Sequence, residues 1–144
     1  MSKVLNIISH SEAETFELGK KLAVMLKDPN LAVLTGELGS GKTVFIKGLA
    51  EGLGIRPEKV HSPTFNVVHE YHGETNLYHF DLYRLASTKE LREIGWDDYL
   101  GRDGLVAVEW GDKAAGLLPE KYYLIEFKIA GENEREIKVS LKNK

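Results

Sequence analysis

The string GELGSGKT at residues 36–43 has the residue types and the spacing that hold a phosphate group. It matches G-x-x-x-x-G-K-[ST] in full, with an apolar run before it and a helical pattern after it. Glycines in such a loop let successive backbone amides point at one anion, and the helix N-terminus adds partial positive charge. We predict that Lys42 neutralises the β- and γ-phosphates of a nucleotide and that the Thr43 hydroxyl ligates Mg²⁺.

The nucleotide-binding residues predicted from this loop form one continuous segment. They are Gly36, Glu37, Leu38, Gly39, Ser40, Gly41, Lys42, Thr43 and Val44. A phosphate loop by itself serves kinases, motors, switches and hydrolases alike, so other residues must decide the reaction. The sequence contains no N-K-x-D string of the kind that reads guanine, and this favours adenine, and hence ATP, as the nucleotide.

Two carboxylates, Asp81 and Glu109, lie in or directly after apolar runs that are typical of buried strands. Strand alternation places His79 and Asp81 on one face and Phe80 on the other. A carboxylate in such a position is desolvated unless a cation compensates. We therefore predict that both serve the metal or the attacking water, with a surface ion pair as the alternative. The sequence leaves open which of them ligates Mg²⁺ and which positions the water.

The segment HSPTF at residues 61–65 lies between the helix after the phosphate loop and the next predicted strand. A hydroxyl at Thr64 can bind Mg²⁺ only when a γ-phosphate fixes the segment, which would make the segment a switch and give Thr64 a catalytic role. The alternative is a proline turn with a threonine that faces solvent.

Periodicity, caps and turn signals predict the elements that position these residues. The predicted helices cover residues 11–27, 42–53 and, with an interruption, 87–100. The predicted strands cover residues 31–35, 65–71, 76–83, 105–108, 122–129 and 136–141. The order of these elements predicts an α/β fold, a single P-loop domain over residues 1–144 whose mixed sheet has a parallel core, antiparallel edge strands and flanking helices.

Composition limits the classes of function. The chain has 144 residues, of which 42% are hydrophobic and 28% are charged, as in globular proteins. Its formal net charge of -3 provides no overall positive field for DNA or an anionic membrane. The absence of cysteine excludes disulfides and thiolate chemistry, so a reducing cytoplasm is the expected location. No run approaches 18 consecutive apolar residues, so we expect no membrane span.

Four strings together resemble the TsaE (YjeE) family, the small P-loop ATPases of bacterial tRNA threonylcarbamoyladenosine biosynthesis. They are the phosphate loop with leucine at position 38, SPTF at 62–65, HFDLYR at 79–84 and EWG at 109–111. The resemblance covers nearly the whole chain. It implies that Thr43 and Glu109 ligate Mg²⁺, that Asp81 is a catalytic or water-positioning carboxylate, that Thr64 lies in a switch-like loop and that Trp110 lies near the nucleotide.

The resemblance also implies partners. The family works with a TsaD–TsaB pair that transfers a threonylcarbamoyl group to a tRNA adenosine, so that the ATPase meets tRNA through the complex and resets that complex between cycles. No arginine occupies an obvious finger position, and we therefore expect slow turnover until a partner contributes. A small-molecule kinase and a non-enzymatic nucleotide switch are the alternative functions.

Overall fold

Seven strands form one mixed sheet in the computed structural model of the chain, which describes residues 2–37, 39–61, 67–110, 114 and 116–143. The strands are β1 (Ser2–Ser9), β2 (Leu31–Thr35), β3 (Val68–Tyr71), β4 (Leu77–Asp81), β5 (Leu105–Glu109), β6 (Lys121–Ile129) and β7 (Arg135–Asn143). The helices are α1 (Glu12–Leu22), α2 (Lys42–Gly52), α3 (Thr88–Ile94) and α4 (Trp96–Leu100), with a short 3-10 helix at Pro57–Lys59.

The strands lie in the order β1-β7-β6-β2-β5-β4-β3. The four inner strands β6, β2, β5 and β4 are parallel, whereas β7, β1 and β3 pair antiparallel with their neighbours. The predicted α/β fold with a parallel core and antiparallel edges is therefore confirmed. Because the inner strands are parallel, the residues that follow their carboxyl ends gather at one edge of the sheet.

Both faces of the sheet are buried at its centre. Alternate strand residues such as Leu34 and Ala107 pack against α1 and α2 in one cluster, whereas Val33, Phe80 and Val108 pack with Trp96 of α4 in the other. This explains the unbroken apolar runs of β2 and β5, whose first four residues are all buried.

Close contact between α1 and α2 fixes the position of the helix that follows the phosphate loop. An ideal Cβ at Gly48 would lie 2.0 Å from the Phe16 carbonyl oxygen, and one at Gly19 would lie 2.3 Å from the Phe45 carbonyl oxygen. Only glycine permits this approach of two backbones. The N-terminus of α2 is therefore held by backbone packing as well as by its apolar side chains.

Cap signals in the sequence correspond to real helix ends. Ser11 and Ser87 are the N-caps of α1 and α3, and their hydroxyls accept hydrogen bonds from the backbone amides of Glu14 and Glu90 at 3.1 and 3.5 Å. Gly95, with φ 102°, separates α3 from α4. The predicted interruption within residues 87–100 is confirmed.

Two features differ from the sequence-based expectations. The first helix ends at Leu22 rather than at residue 27, and hydrogen-bonded turns follow in which β-branched Val24 is exposed while Leu26 stays buried. The edge strand β1 was not predicted at all. None of the helices among the described residues combines the length and apolarity needed to cross a membrane.

Candidate nucleotide and metal site

The phosphate loop connects β2 to α2, as the sequence predicts. Gly41, with φ 102°, is the N-cap of α2, and its carbonyl oxygen accepts the Phe45 amide at 3.0 Å. A side chain is strained at this left-handed backbone angle, whereas glycine adopts it freely. The first turn of α2 contains no acidic residue, so the partial positive charge of the helix N-terminus is not cancelled there. The loop is thereby suited to an anion.

Lys42 is the first residue of α2, and its ammonium lies at the mouth of the loop. Its Nζ donates a hydrogen bond to the Gly36 carbonyl oxygen at 2.7 Å and lies 4.9 Å from the centroid of the Trp110 ring. The residue is only 6% exposed. A buried cation of this kind attracts a phosphate more strongly than an exposed one does, because less water screens it.

A cavity of about 230 Å³ opens between the loop and the ends of β4 and β5. It is lined by Glu12, Gly39, Gly41, Lys42, Thr43, Val44, Asp81, Glu109 and Trp110. All of these except Glu12 were singled out from the sequence as site residues. The structure thus brings together the lysine, the hydroxyl and both carboxylates that the motifs predict, although they are separated by up to 67 positions along the chain, from Lys42 to Glu109.

Burial perturbs the Asp81 carboxyl. Desolvation raises its pKa above the usual range, a hydrogen bond from the Tyr83 amide at 3.0 Å opposes the rise, and the charge of Glu109 adds to it. The electrostatic influence of His79 and Lys42 opposes the rise in the pKa as well, as the smallest of these effects. A carboxylate whose charge is unfavourable in this way binds a proton or a metal ion more readily than an exposed aspartate.

Glu109 is 5% exposed, and one of its oxygens is held by a buried histidine. His79 Nε2 lies 2.7 Å from Glu109 Oε2, and the His79 side chain is fully buried. This contact shows that Glu109 is not in a surface ion pair. Sequence reasoning did not find it, although alternation had placed His79 and Asp81 on one face of β4.

The residues in the cavity fit a hard divalent cation. Thr43, Asp81 and Glu109 offer one hydroxyl and two carboxylates, and Mg²⁺ prefers oxygen ligands of this type while it keeps part of its water and binds substrate phosphates. The raised pKa of Asp81 is consistent with a position where a cation is favourable. These residues would hold Mg²⁺ together with the phosphates.

Trp110 follows β5 with φ 61°, an uncommon backbone angle for a residue other than glycine and one that stores strain. Its ring packs against Tyr83 with centroids 4.9 Å apart, in addition to its contact with Lys42. Trp110 lines the first cavity, and this supports the prediction that it lies near the nucleotide.

A second cavity of about 130 Å³ shares Glu12, Gly39, Gly41 and Val44 with the first. It is lined by Ser11, Glu12, Thr15, Gly39, Gly41, Val44, Asn133 and Arg135. The Arg135 guanidinium donates to the Gly39 carbonyl oxygen at 3.1 Å and to three carbonyls of the turn between β6 and β7. Sequence analysis assigned no role to this wall, whose residues come from the start of α1, from the β6–β7 turn and from the first residue of β7.

The remaining site residues predicted from the sequence lie elsewhere or outside the described residues. Gly36, Glu37 and Ser40 belong to the loop but do not line the first cavity, and the buried Ser40 Oγ has no hydrogen-bond partner among the described residues. Leu38 and Thr64 lie outside the described residues, as does most of the segment 61–65. The switch role of Thr64 stays a prediction.

Comparison with known proteins gives one consistent result. The family model described as "Threonylcarbamoyl adenosine biosynthesis protein TsaE" matches residues 9–137. Two curated proteins named "tRNA threonylcarbamoyladenosine biosynthesis protein TsaE" are similar. The one from Treponema pallidum is 39% identical over 94% of this chain and 100% of its own length, and the one from Bacillus subtilis is 42% identical over 86% and 77%.

A solved structure is also similar to this chain. The crystal structure of Bacillus subtilis YdiB superimposes with a TM-score of 0.79 at 34% sequence identity. The match covers 100% of this chain and 88% of YdiB.

Proposed function

The chain belongs to the TsaE family, and we propose that it is a cytoplasmic Mg²⁺-dependent ATPase that supports formation of N6-threonylcarbamoyladenosine in tRNA. In this proposal it drives the cycle of a TsaD–TsaB-like transferase complex and meets tRNA only through that complex. The observation that supports hydrolysis most directly is the shared cavity, in which Lys42, Thr43, Asp81 and Glu109 line one space beside the phosphate loop.

The loop and Lys42 bind and orient the phosphates of ATP. The backbone amides at the start of α2 donate to phosphate oxygens, and the Lys42 ammonium moves from the Gly36 carbonyl to the β- and γ-phosphates. The nucleoside end then extends past Val44 toward the second cavity, where Asn133 offers a polar contact.

The two carboxylates divide the remaining work. Thr43 and Glu109 hold Mg²⁺, which when bound neutralises charge that develops on the transferred phosphoryl group. Asp81 orients the attacking water and accepts its proton, a role that its raised pKa favours because a stronger base takes up a proton more readily. The water oxygen attacks the γ-phosphorus in line with the bridging oxygen, the bond between that phosphorus and the bridging oxygen breaks, and ADP and phosphate are released.

The partners are proposed to supply what the cavity lacks. Among the residues that line the first cavity there is no arginine, and an arginine supplied to a phosphoryl-transfer site raises its rate by about 10³- to 10⁵-fold. We therefore expect slow hydrolysis by the isolated chain and faster hydrolysis in the complex.

The test is ATP hydrolysis by the purified chain, alone and with a purified TsaD–TsaB pair, in Mg²⁺ and in EDTA. The proposal requires Mg²⁺-dependent release of phosphate that the pair stimulates at least tenfold. Turnover that is fast alone and indifferent to the pair would contradict the role in the transferase cycle. Transfer of labelled γ-phosphate to a metabolite instead of water would identify a kinase.

A further inference from the structure

We propose that His79 is a positioning residue that fixes the Glu109 carboxylate for the divalent cation. This inference rests on the proposed Mg²⁺-dependent function and adds a residue to it. The observation that carries it is the buried contact between His79 Nε2 and Glu109 Oε2, of which Glu109 lines the first cavity.

The direction of the hydrogen bond follows from the chemistry of its partners. An ionised carboxylate only accepts hydrogen bonds, so His79 Nε2 must carry the hydrogen that it shares with Glu109 Oε2 over 2.7 Å. The other ring nitrogen, Nδ1, is buried and has no partner among the described residues. The imidazole therefore makes a single hydrogen bond in the part of the chain that the structure describes, and that bond goes to Glu109.

Stability alone does not explain a histidine at this place. His79 lies opposite Ala107 on β5 and between residues of the apolar cluster under α1 and α2, where an aliphatic side chain would pack without an unpaired polar atom. An unpaired buried nitrogen destabilises the fold. The gain that offsets this loss is the fixed orientation of Glu109.

Fixing one oxygen of Glu109 determines what the other can do. Glutamate has three side-chain torsions, and without an anchor its carboxylate samples several positions at the mouth of the cavity. With Oε2 held by His79, Oε1 is left as the oxygen for the cation. Replacement of a residue that orients a metal ligand in this way lowers the metal affinity by about 10- to 100-fold.

A pair of amide variants separates positioning from structure. Glutamine places its amide nitrogen close to where histidine places Nε2, so His79→Gln keeps the donor, whereas His79→Asn is one methylene shorter and loses it. The control is His69→Asn, because His69 faces His79 across β3 and β4 but does not contact Glu109. Thermal unfolding of each variant shows whether it is folded.

The readout is the affinity for a non-hydrolysable ATP analogue, measured by titration calorimetry in EDTA and in Mg²⁺. We expect the affinity of His79→Asn for the analogue in EDTA to stay within about threefold of wild type. We expect the factor by which Mg²⁺ increases that affinity to be at least tenfold smaller than in wild type. His79→Gln and His69→Asn should keep both the affinity in EDTA and the Mg²⁺ enhancement of wild type. An undiminished Mg²⁺ enhancement in His79→Asn, or an equal loss in EDTA, overturns the inference. A wild type without any Mg²⁺ enhancement instead overturns the proposed function.

A second measurement needs no variant and so does not depend on folding of His79→Asn. Long-range ¹H–¹⁵N correlation spectra of the wild-type protein distinguish the two imidazole tautomers. We expect the hydrogen of His79 on Nε2, both with and without Mg²⁺ and the analogue. A hydrogen on Nδ1 alone would exclude the bond to Glu109 and with it the positioning role.

Discussion

Asp81 and Glu109 are register partners on the parallel strands β4 and β5, and each is the last residue of its strand. On the other side of β5 lies β2, from whose end the phosphate loop begins. Three neighbouring parallel strands therefore deliver two carboxylates and an anion-binding loop to one edge of the sheet. In the proposed function, Asp81 serves the attacking water and Glu109 serves the cation.

Replacing Lys42 and Asp81 should separate nucleotide binding from hydrolysis. Lys42→Ala removes the ammonium at the mouth of the loop, and we expect nucleotide affinity to fall below detection. Asp81→Asn keeps the shape of the side chain and its acceptor for the Tyr83 amide, so we expect affinity within about tenfold of wild type and no measurable hydrolysis. Calorimetry and phosphate release measure the two properties. An equal loss of affinity in both variants would refute the division of roles.

Trp110 should report nucleotide binding through its fluorescence. When Lys42 moves to the phosphates, its cation–π contact with the Trp110 ring changes, and so does the environment of the indole. Trp96 is fully buried and donates its Nε1 hydrogen to the Leu117 carbonyl, so its emission should stay constant. We expect ATP to change the emission of wild type but not of Trp110→Phe. A fluorescence change of full size in Trp110→Phe would show that the change does not come from Trp110.

Local patterns were sufficient to predict the centre of this fold. The apolar runs of β2 and β5, the caps at Ser11 and Ser87 and the loop at residues 36–43 each depend on neighbours in the sequence, and the structure has them where they were expected. That Asp81 and Glu109 belong to one site was also expected, because both occur at the ends of apolar runs, and both line the first cavity.

Features that depend on distant pairing could not be predicted in this way. The strand β1 pairs with β7, as in Ile7↔Ile137, and its consecutive Ile7 and Ile8 are both exposed, so the strand lacks the alternation that identifies a half-buried strand. The contact of His79 with Glu109 requires that β4 and β5 be neighbours. The contact of Arg135 with the loop likewise requires the position of the β6–β7 turn.

The contact between α1 and α2 should not tolerate a methyl group. In Gly48→Ala the new Cβ meets the Phe16 carbonyl oxygen, so the helices must separate, and we expect a loss of about 3 kcal/mol in the free energy of unfolding. Gly101→Ala is the matched control, because its Cβ would lie 3.6 Å from the nearest atom and φ is -91°, and it should change stability by less than about 0.5 kcal/mol. Denaturant unfolding measures both. Equal stabilities would show that the two helices separate without cost.

The stability of the fold should fall in mild acid because of His69. Burial lowers the pKa of His69 below its usual value, and the nearby charges of His61 and His79 lower it further. The unfolded chain, in which a histidine has a pKa of about 6.5, therefore binds more protons than the folded chain just below that pH. By linkage, the contribution of neutral His69 to the free energy of unfolding is fully present above about pH 6.5. It is lost as the pH falls through the lower pKa that His69 has in the folded state.

Replacing His69 by asparagine isolates this contribution. His69→Asn places a polar amide group close to where histidine has Nδ1, which lies 3.1 Å from the Tyr71 hydroxyl, but it cannot take up a proton. We expect the free energy of unfolding, from urea titrations between pH 7.5 and 5.5, to decline more steeply with acid in wild type than in the variant. The free energy of unfolding of wild type minus that of the variant should therefore decrease as the pH falls. Parallel curves would show that the environment of His69 does not disfavour its charged form.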